Sequence, residues 1–358
     1  MKTIKKIFPL ILTIIICLSC LSCNGTFGYY TFNHTAFNSP LYIEVYDKDL
    51  TDQIKSEIAQ LITTLEDSFD VENENSLPSR LKNAPLSTNV PLTDIELEIL
   101  RTTKDYHEYS QGKFNPLLYP LSSLWGFKGQ SVNTPPSPEQ ISEILSSGAT
   151  KFDNVVIQDN ACYKMADCVL DFGGVLKGYA SEKICNMLID NGYTRGYVNI
   201  GSSSLTLMYI PILSIVHPID NSQKIIDVHL RDKDYINVST SGDYEKFFEH
   251  EGVRYSHIID PYTGASSRTN IKSATLLGND GAFCDAMTTA ICLYEYQPER
   301  PYENALASFL KKILSTNPDC SFYVVYSDEE YNHVLTNKKQ GSHFTLLDDS
   351  FRVIDLSL

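Results

Sequence analysis

The chain has 358 residues, 42% of them hydrophobic and 11% aromatic, enough apolar material for a large core and too much for a disordered chain. Its 29 basic and 44 acidic residues leave a net charge of −15. Beyond the first six residues there is no lysine or arginine block, so no nucleic-acid partner is expected, and a phosphate-bearing ligand needs a local source of positive charge.

In chain order, Lys2, Lys5 and Lys6 precede the apolar run Ile7 to Ile16, which is too short to span a bilayer and fits a signal-peptide core. It runs into "CLSCLSC", where Leu-Ser-Cys occurs twice, ending at Cys20 and Cys23. Leu-Ser-Cys resembles the lipobox of bacterial lipoproteins. The expectation is therefore a signal segment over 1–22, cleavage before Cys20 or Cys23, and a domain over 23–358 held to a membrane by a lipid. Six further cysteines follow: Cys162, Cys168, Cys185, Cys284, Cys292 and Cys320. None pairs with histidines at zinc-ligand spacing, and most read as buried thiols, with a Cys162–Cys168 bridge open to an exported chain.

Residues 24–40 read as a polar connection, and 41–47 alternate as a strand. Ile54, Ile58, Leu61, Ile62, Leu65 and Phe69 mark one face of a helix from Thr51. Thr93 with Glu96 is a capping box for a helix to about Tyr109, and Ser137-Pro138 opens a shorter one. "CVLDF" (168–172) reads as a buried strand entering Gly173-Gly174, followed by a helix that ends at Asn191-Gly192. Short strands follow in "TRGYVNI", "ILSIV", "KIIDVHL", "YINVST" and "VRYSHII", then helices over 282–294 and 304–314 and the strand "SFYVVYS". This order predicts an α+β fold in one domain with several antiparallel strands.

Four stretches carry chemistry. In "LDFGGVLKGYASEK", Asp171 ends the strand and two glycines admit a close ligand. A helix N-terminus and Lys177 then suit a phosphate, although such a turn can also merely connect elements. "STSGDYEKF" is rich in hydroxyls around Gly242, and reads equally as a hairpin turn. In "AFCDAMTTAICLY", Asp285 and Thr289 lie four apart on one helix face, hard oxygen donors suited to Mg²⁺. In "RYSHIIDPYTG", His257 stands at a strand end before a tight turn, a group able to take a proton near neutral pH.

Taken in order, "GKFNPLLYPLSSLWGF", "LDFGGVLKGYASEK", "STSGDYEKF", "RYSHIIDPYTG" and "CDAMTTAI" resemble the ApbE-type flavin transferases, the FAD:protein FMN transferases, from about residue 30 to 330. The resemblance implies an ApbE-like single domain of mixed, mainly antiparallel sheets packed with helices. It implies an exported lipoprotein, on the periplasmic or extracytoplasmic side of a membrane, that moves FMN from FAD onto a threonine or serine hydroxyl of an exported or membrane acceptor protein. AMP is released and Mg²⁺ is required. The alternatives are hydrolysis of FAD to FMN and AMP, or FAD binding without catalysis.

Carried over by position, the resemblance makes His257 the base beside the reacting phosphate. It makes Phe37, Lys113, Phe114, Asn115, Asp171, Lys177, Ser241, Gly242, Ile258 and Ile259 the flavin-nucleotide contacts. Gly174 (through its carbonyl), Asp285 and Thr289 become the metal ligands. The chain departs from the family pattern at Gly112-Lys113-Phe114-Asn115, where the family has Gly-Ala-Phe-Asp, at Phe37, where methionine is usual, and at Ser202, where a second glycine is usual.

Overall fold

The computed structural model describes residues 28–220, 222–230, 235–328 and 330–356. The signal segment and both lipobox cysteines lie outside the described residues. The chain begins with the hairpin β1 (Tyr30–Ala36) and β2 (Ser39–Val45), then α1 (Asp52–Phe69), α2 (Leu77–Asn83) and β3 (Val90–Pro91). Next come α3 (Asp94–Tyr109), α4 (Tyr119–Leu124), α5 (Pro138–Ser146), β4 (Val155–Gln158) and β5 (Ala161–Lys164). α6 (Leu176–Asp190), β6 (Gly196–Ile200), β7 (Ser204–Met208), β8 (Ile212–Val216), β9 (Lys224–His229) and β10 (Tyr235–Gly242) form the middle of the chain. They are followed by β11 (Phe247–His250), β12 (Val253–Ser256), β13 (Ile271–Gly278) and α7 (Gly281–Ile291). The chain closes with α8 (Ala305–Thr316), β14 (Ser321–Ser327), β15 (Asn332–Thr336), β16 (Phe344–Leu346) and β17 (Phe351–Asp355).

Among the described residues the largest sheet has nine strands in the order β1-β2-β6-β7-β10-β13-β14-β15-β17, antiparallel except for β15 with β17. Period-2 alternation decides what covers each face. Val198, Ile200, Met208, Ala274 and Leu276 face α1, α6 and α7. Tyr197, Leu207, Ile236, Val238 and Leu277 face the small sheet β16-β9-β8 through Ile215, Ile226 and Phe344. The expected α+β fold with mainly antiparallel sheets is what is found.

The helix starts follow their caps. Thr51 accepts from Ile54 N–H, and α1 buries Ile54, Ile58, Ile62, Leu65 and Phe69. The Thr93–Glu96 capping box opens α3, and Ser137 with Gln140 makes another at α5.

Two expectations fail. Residues 30–36, read as connection, form β1; it is an edge strand with mostly exposed residues, so its polar composition hides its pairing. Residues 168–172, read as a strand, make no ladder. Cys168, Leu170 and Phe172 are buried, but Asp171 N–H donates to the Pro116 carbonyl at 2.7 Å, so an irregular segment satisfies this backbone. All six cysteines of the described chain are free and buried, Cys162 and Cys168 included.

The contact that sets the site is between α6 and α7. A Cβ on Gly178 would lie 2.0 Å from the Gly281 carbonyl oxygen, and one on Gly281 would lie 2.4 Å from that of Gly178. Only hydrogen fits at either position, so the two helix backbones meet directly. Gly178→Ala should therefore lower stability by about 3 kcal/mol, read as a drop in the urea midpoint, because backbone cannot move aside as a side chain can. A variant with the wild-type midpoint would contradict this close approach.

Candidate functional site

Of the eleven residues of α7, all but Thr289 are buried. Thr289 and the 3%-exposed Asp285 reach a cavity of about 820 Å³ at the α6–α7 contact, within the range of about 300–1,000 Å³ usual for ligand sites. The cavity is lined by every candidate residue named above except Gly242. Gly242 lies in β10 behind the wall, where a Cβ would come 2.3 Å from the Tyr244 ring, so its role is to let that ring pack.

Asp285 is held from two sides. Its Oδ2 accepts from Gly178 N–H at 3.2 Å, and its Oδ1 lies 3.7 Å from Lys177 Nζ. Thr289 Oγ1 lies 3.4 Å from both the Asp285 carbonyl and Ser241 Oγ, and Ser241 also meets Thr288 Oγ1 at 3.0 Å. Among the described residues no three His, Cys, Asp or Glu side chains cluster as a metal cage. The residues that the resemblance makes metal ligands, Asp285, Thr289 and Gly174 through its carbonyl, all line the cavity. That set fits Mg²⁺, which keeps positions for waters and phosphate oxygens instead of filling a protein cage.

In the segment leading into α6, Asp171 Oδ1 accepts from Gly173 N–H at 2.9 Å and Oδ2 pairs with Lys128 Nζ at 2.9 Å. Phe114 is buried against Gly174, where a Cβ would meet its ring at 3.0 Å. Asn115 donates to the Thr150 carbonyl at 2.9 Å and accepts from Leu117 N–H at 2.9 Å. The first of these bonds needs an amide N–H, which explains asparagine where the family has a carboxylate. Lys113 Nζ turns to the Leu293 carbonyl at 3.0 Å and lies 4.4 Å from the centre of the Tyr294 ring, and burial lowers its pKa. Phe37 and Asn38 both have positive φ, 53° and 57°, in the β1–β2 turn. Phe37 N–H is held by Glu66 Oε1 at 2.7 Å, which keeps a bulky residue in a backbone region that suits glycine. Ser202 likewise adopts φ 63°.

His257 follows β12. The Lys246 carbonyl accepts its backbone N–H at 2.9 Å and lies 3.2 Å from its ring Nδ1. A carbonyl only accepts, so in the neutral ring Nδ1 carries the proton and Nε2 keeps its lone pair. Burial, then the charges of Lys246, Lys177 and Lys128, bring the imidazole down to about 4, far below the ordinary value of about 6.5 expected from the sequence. The following Asp260 works for the backbone: its Oδ1 accepts from Tyr262 and Thr263 N–H, and the Gly264 carbonyl accepts from Trp125 Nε1 at 2.9 Å. Ile258 and Ile259, which lead into this turn, are buried in two different apolar clusters.

Five charged lining residues were not foreseen: Lys128, Lys224, Asp227, Glu245 and Lys246. Lys128 had no local motif beyond the glycines that flank it. Glu245 and Lys246 lie inside "STSGDYEKF", directly after the residues singled out there. Glu245 opens onto the cavity with an exposed side chain. Desolvation and Asp285 raise its carboxyl to about 7 against the opposing charges of Lys177 and Lys246.

The ApbE family model matches residues 37–306. The chain belongs to the ApbE family. Among curated ApbE-like relatives, the FAD:protein FMN transferase of Treponema pallidum is 29% identical over 282 residues, covering 71% of this chain and 76% of that one. The protein of the same name from Klebsiella pneumoniae is 26% identical, covering 73% and 81%. The solved ApbE protein of Thermotoga maritima superposes with a TM-score of 0.71 at 24% identity, covering 84% of this chain and 94% of that one. The apo flavinyl transferase ApbE of Pseudomonas stutzeri gives 0.71 at 22%, covering 86% and 94%, and these two likenesses establish the fold.

Proposed function

We propose that this ApbE-family chain is an enzyme that transfers FMN from FAD to a threonine or serine hydroxyl of a partner protein, releasing AMP. The observation that carries the reading is one cavity with a hard-oxygen donor set on α7, lysines beside it, and a histidine with a free Nε2 lone pair. The curated relatives carry the transferase name.

In the reaction, the acceptor oxygen forms a bond to the FMN phosphorus as the bond from that phosphorus to the AMP oxygen breaks. His257 Nε2 takes the hydroxyl proton, and AMP leaves with the electron pair of the broken bond. Lys177 and Lys128 face the phosphates, and the apolar walls of Phe37, Phe114, Ile258 and Ile259 cover the rings. Asp285, Thr289 and the Gly174 carbonyl would hold Mg²⁺, which supplies charge neutralisation at the phosphate oxygens. The test is incubation with FAD, Mg²⁺ and a candidate acceptor. In-gel flavin fluorescence on the acceptor, with AMP in solution, supports transfer. AMP without labelled acceptor supports hydrolysis, and neither product refutes the proposal.

The same reading makes the chain an exported lipoprotein with its site on the extracytoplasmic side, supported by the apolar run and the two Leu-Ser-Cys sequences. Intact-mass measurement of membrane-extracted protein should show an acyl adduct on Cys20 or Cys23. A mature chain that retains Met1 would contradict the anchor.

A further inference from the structure

Five lysines line the cavity, and three of them, Lys128, Lys177 and Lys246, place their charge around His257, in a chain whose net charge is −15. Two of them are paired: Lys128 with Asp171 at 2.9 Å and Lys177 with Asp285 at 3.7 Å. Lys246 makes no ion pair among the described residues and stands exposed at the cavity wall.

Its position follows from the hairpin β11–β12. Phe247 pairs with Ser256, and the ladder continues by one step through His257 N–H to the Lys246 carbonyl. Residues opposite one another in an antiparallel pair place their side chains on one face, with Cβ atoms about 4.5–5.5 Å apart. The hairpin therefore delivers the candidate base and an unpaired ammonium to the same wall. The other two cations divide their charge with a carboxylate, whereas Lys246 can give all of its charge to an incoming anion.

We propose that Lys246 is a phosphate-binding catalytic residue, contacting the pyrophosphate of the substrate and offsetting the charge that moves onto its oxygens as AMP departs. This rests on the reading of the cavity as the FAD site. The charged groups around His257 are Lys246 across the hairpin, Lys177 at the start of α6 and Lys128 beyond α4, all opposing its protonation. Glu245 lies next to Lys246 in the same loop. Lys246 thus has a second effect, because its charge helps to keep the His257 lone pair available.

The experiment compares wild type, Lys246→Met and Lys246→Arg in AMP release from FAD, with riboflavin binding by fluorescence quenching as the phosphate-free control. Methionine keeps an unbranched chain and removes the charge. Removing one preformed stabiliser of developing charge should lower kcat/KM by about 10²–10³-fold. Arginine should restore much of it, and riboflavin binding should not change. The acid limb of kcat/KM should move to higher pH in Lys246→Met, a change that a merely structural role would not produce. A wild type that releases AMP beside an equally fast Lys246→Met overturns the Lys246 assignment and leaves the FAD reading standing. So does an arginine variant as slow as the methionine one. A wild type that neither binds FAD nor releases AMP overturns both.

Discussion

His257→Asn should lower AMP release from FAD by about 10²–10⁴-fold, the usual contribution of a positioned general base. Asparagine can still donate to the Lys246 carbonyl that now takes the ring proton, so the local geometry should survive while the acceptor at Nε2 is lost. The pH profile separates this from a loss of folding. The base form exists above the imidazole pKa, so wild-type kcat/KM should hold through the mildly acidic range and fall as pH drops through about 4. An unperturbed histidine would place that fall near ~6.5. Stability carries the same signature: between about 6.5 and about 4 the unfolded chain binds a proton that the folded one refuses, so stability falls with pH across this window. The asparagine variant should lose both features. If His257 only shapes its turn, the variant will be less stable but will cleave FAD at the wild-type rate per folded molecule.

Asp285→Ala should reduce FAD cleavage by orders of magnitude. A metal that neutralises phosphoryl oxygens is worth several kcal/mol, and this change removes the carboxylate proposed to hold it. It also leaves Gly178 N–H without its partner inside the α6–α7 contact, an unmet buried donor costing about 1–3 kcal/mol of stability. Asp285→Asn separates the two effects, since its amide oxygen can still accept from Gly178 while the charge is gone. It should fold nearly as well as wild type and stay inactive. EDTA should reproduce the loss in wild-type protein, and riboflavin binding should persist in all three cases. Full activity in EDTA would contradict the metal role.

Both predictions depend on residues that sequence reasoning could reach. The four-residue spacing of Asp285 and Thr289 is a local helical property, and so is the glycine turn that presents Gly174 and Lys177. His257 was legible as a strand end followed by a tight turn. The contacts that give these groups their character were not legible. Gly178 and Gly281 lie far apart in sequence, and nothing local in either motif says that they touch. Lys128 meets Asp171 across more than forty positions without a motif of its own. The depressed imidazole depends on burial and on three lysines from separate elements. The fold was misread for related reasons: β1 is an exposed edge strand with polar residues, and segment 168–172 is apolar like a strand yet bonds to a loop.

The most direct measurement is AMP release from FAD by purified protein, with Mg²⁺ and then with EDTA, beside His257→Asn under the same conditions. The predicted result is AMP formed with Mg²⁺, abolished by EDTA, and slowed by about 10²–10⁴-fold in a variant that remains folded. Wild-type protein that binds FAD and releases no AMP, with metal and acceptor both supplied, would contradict the account.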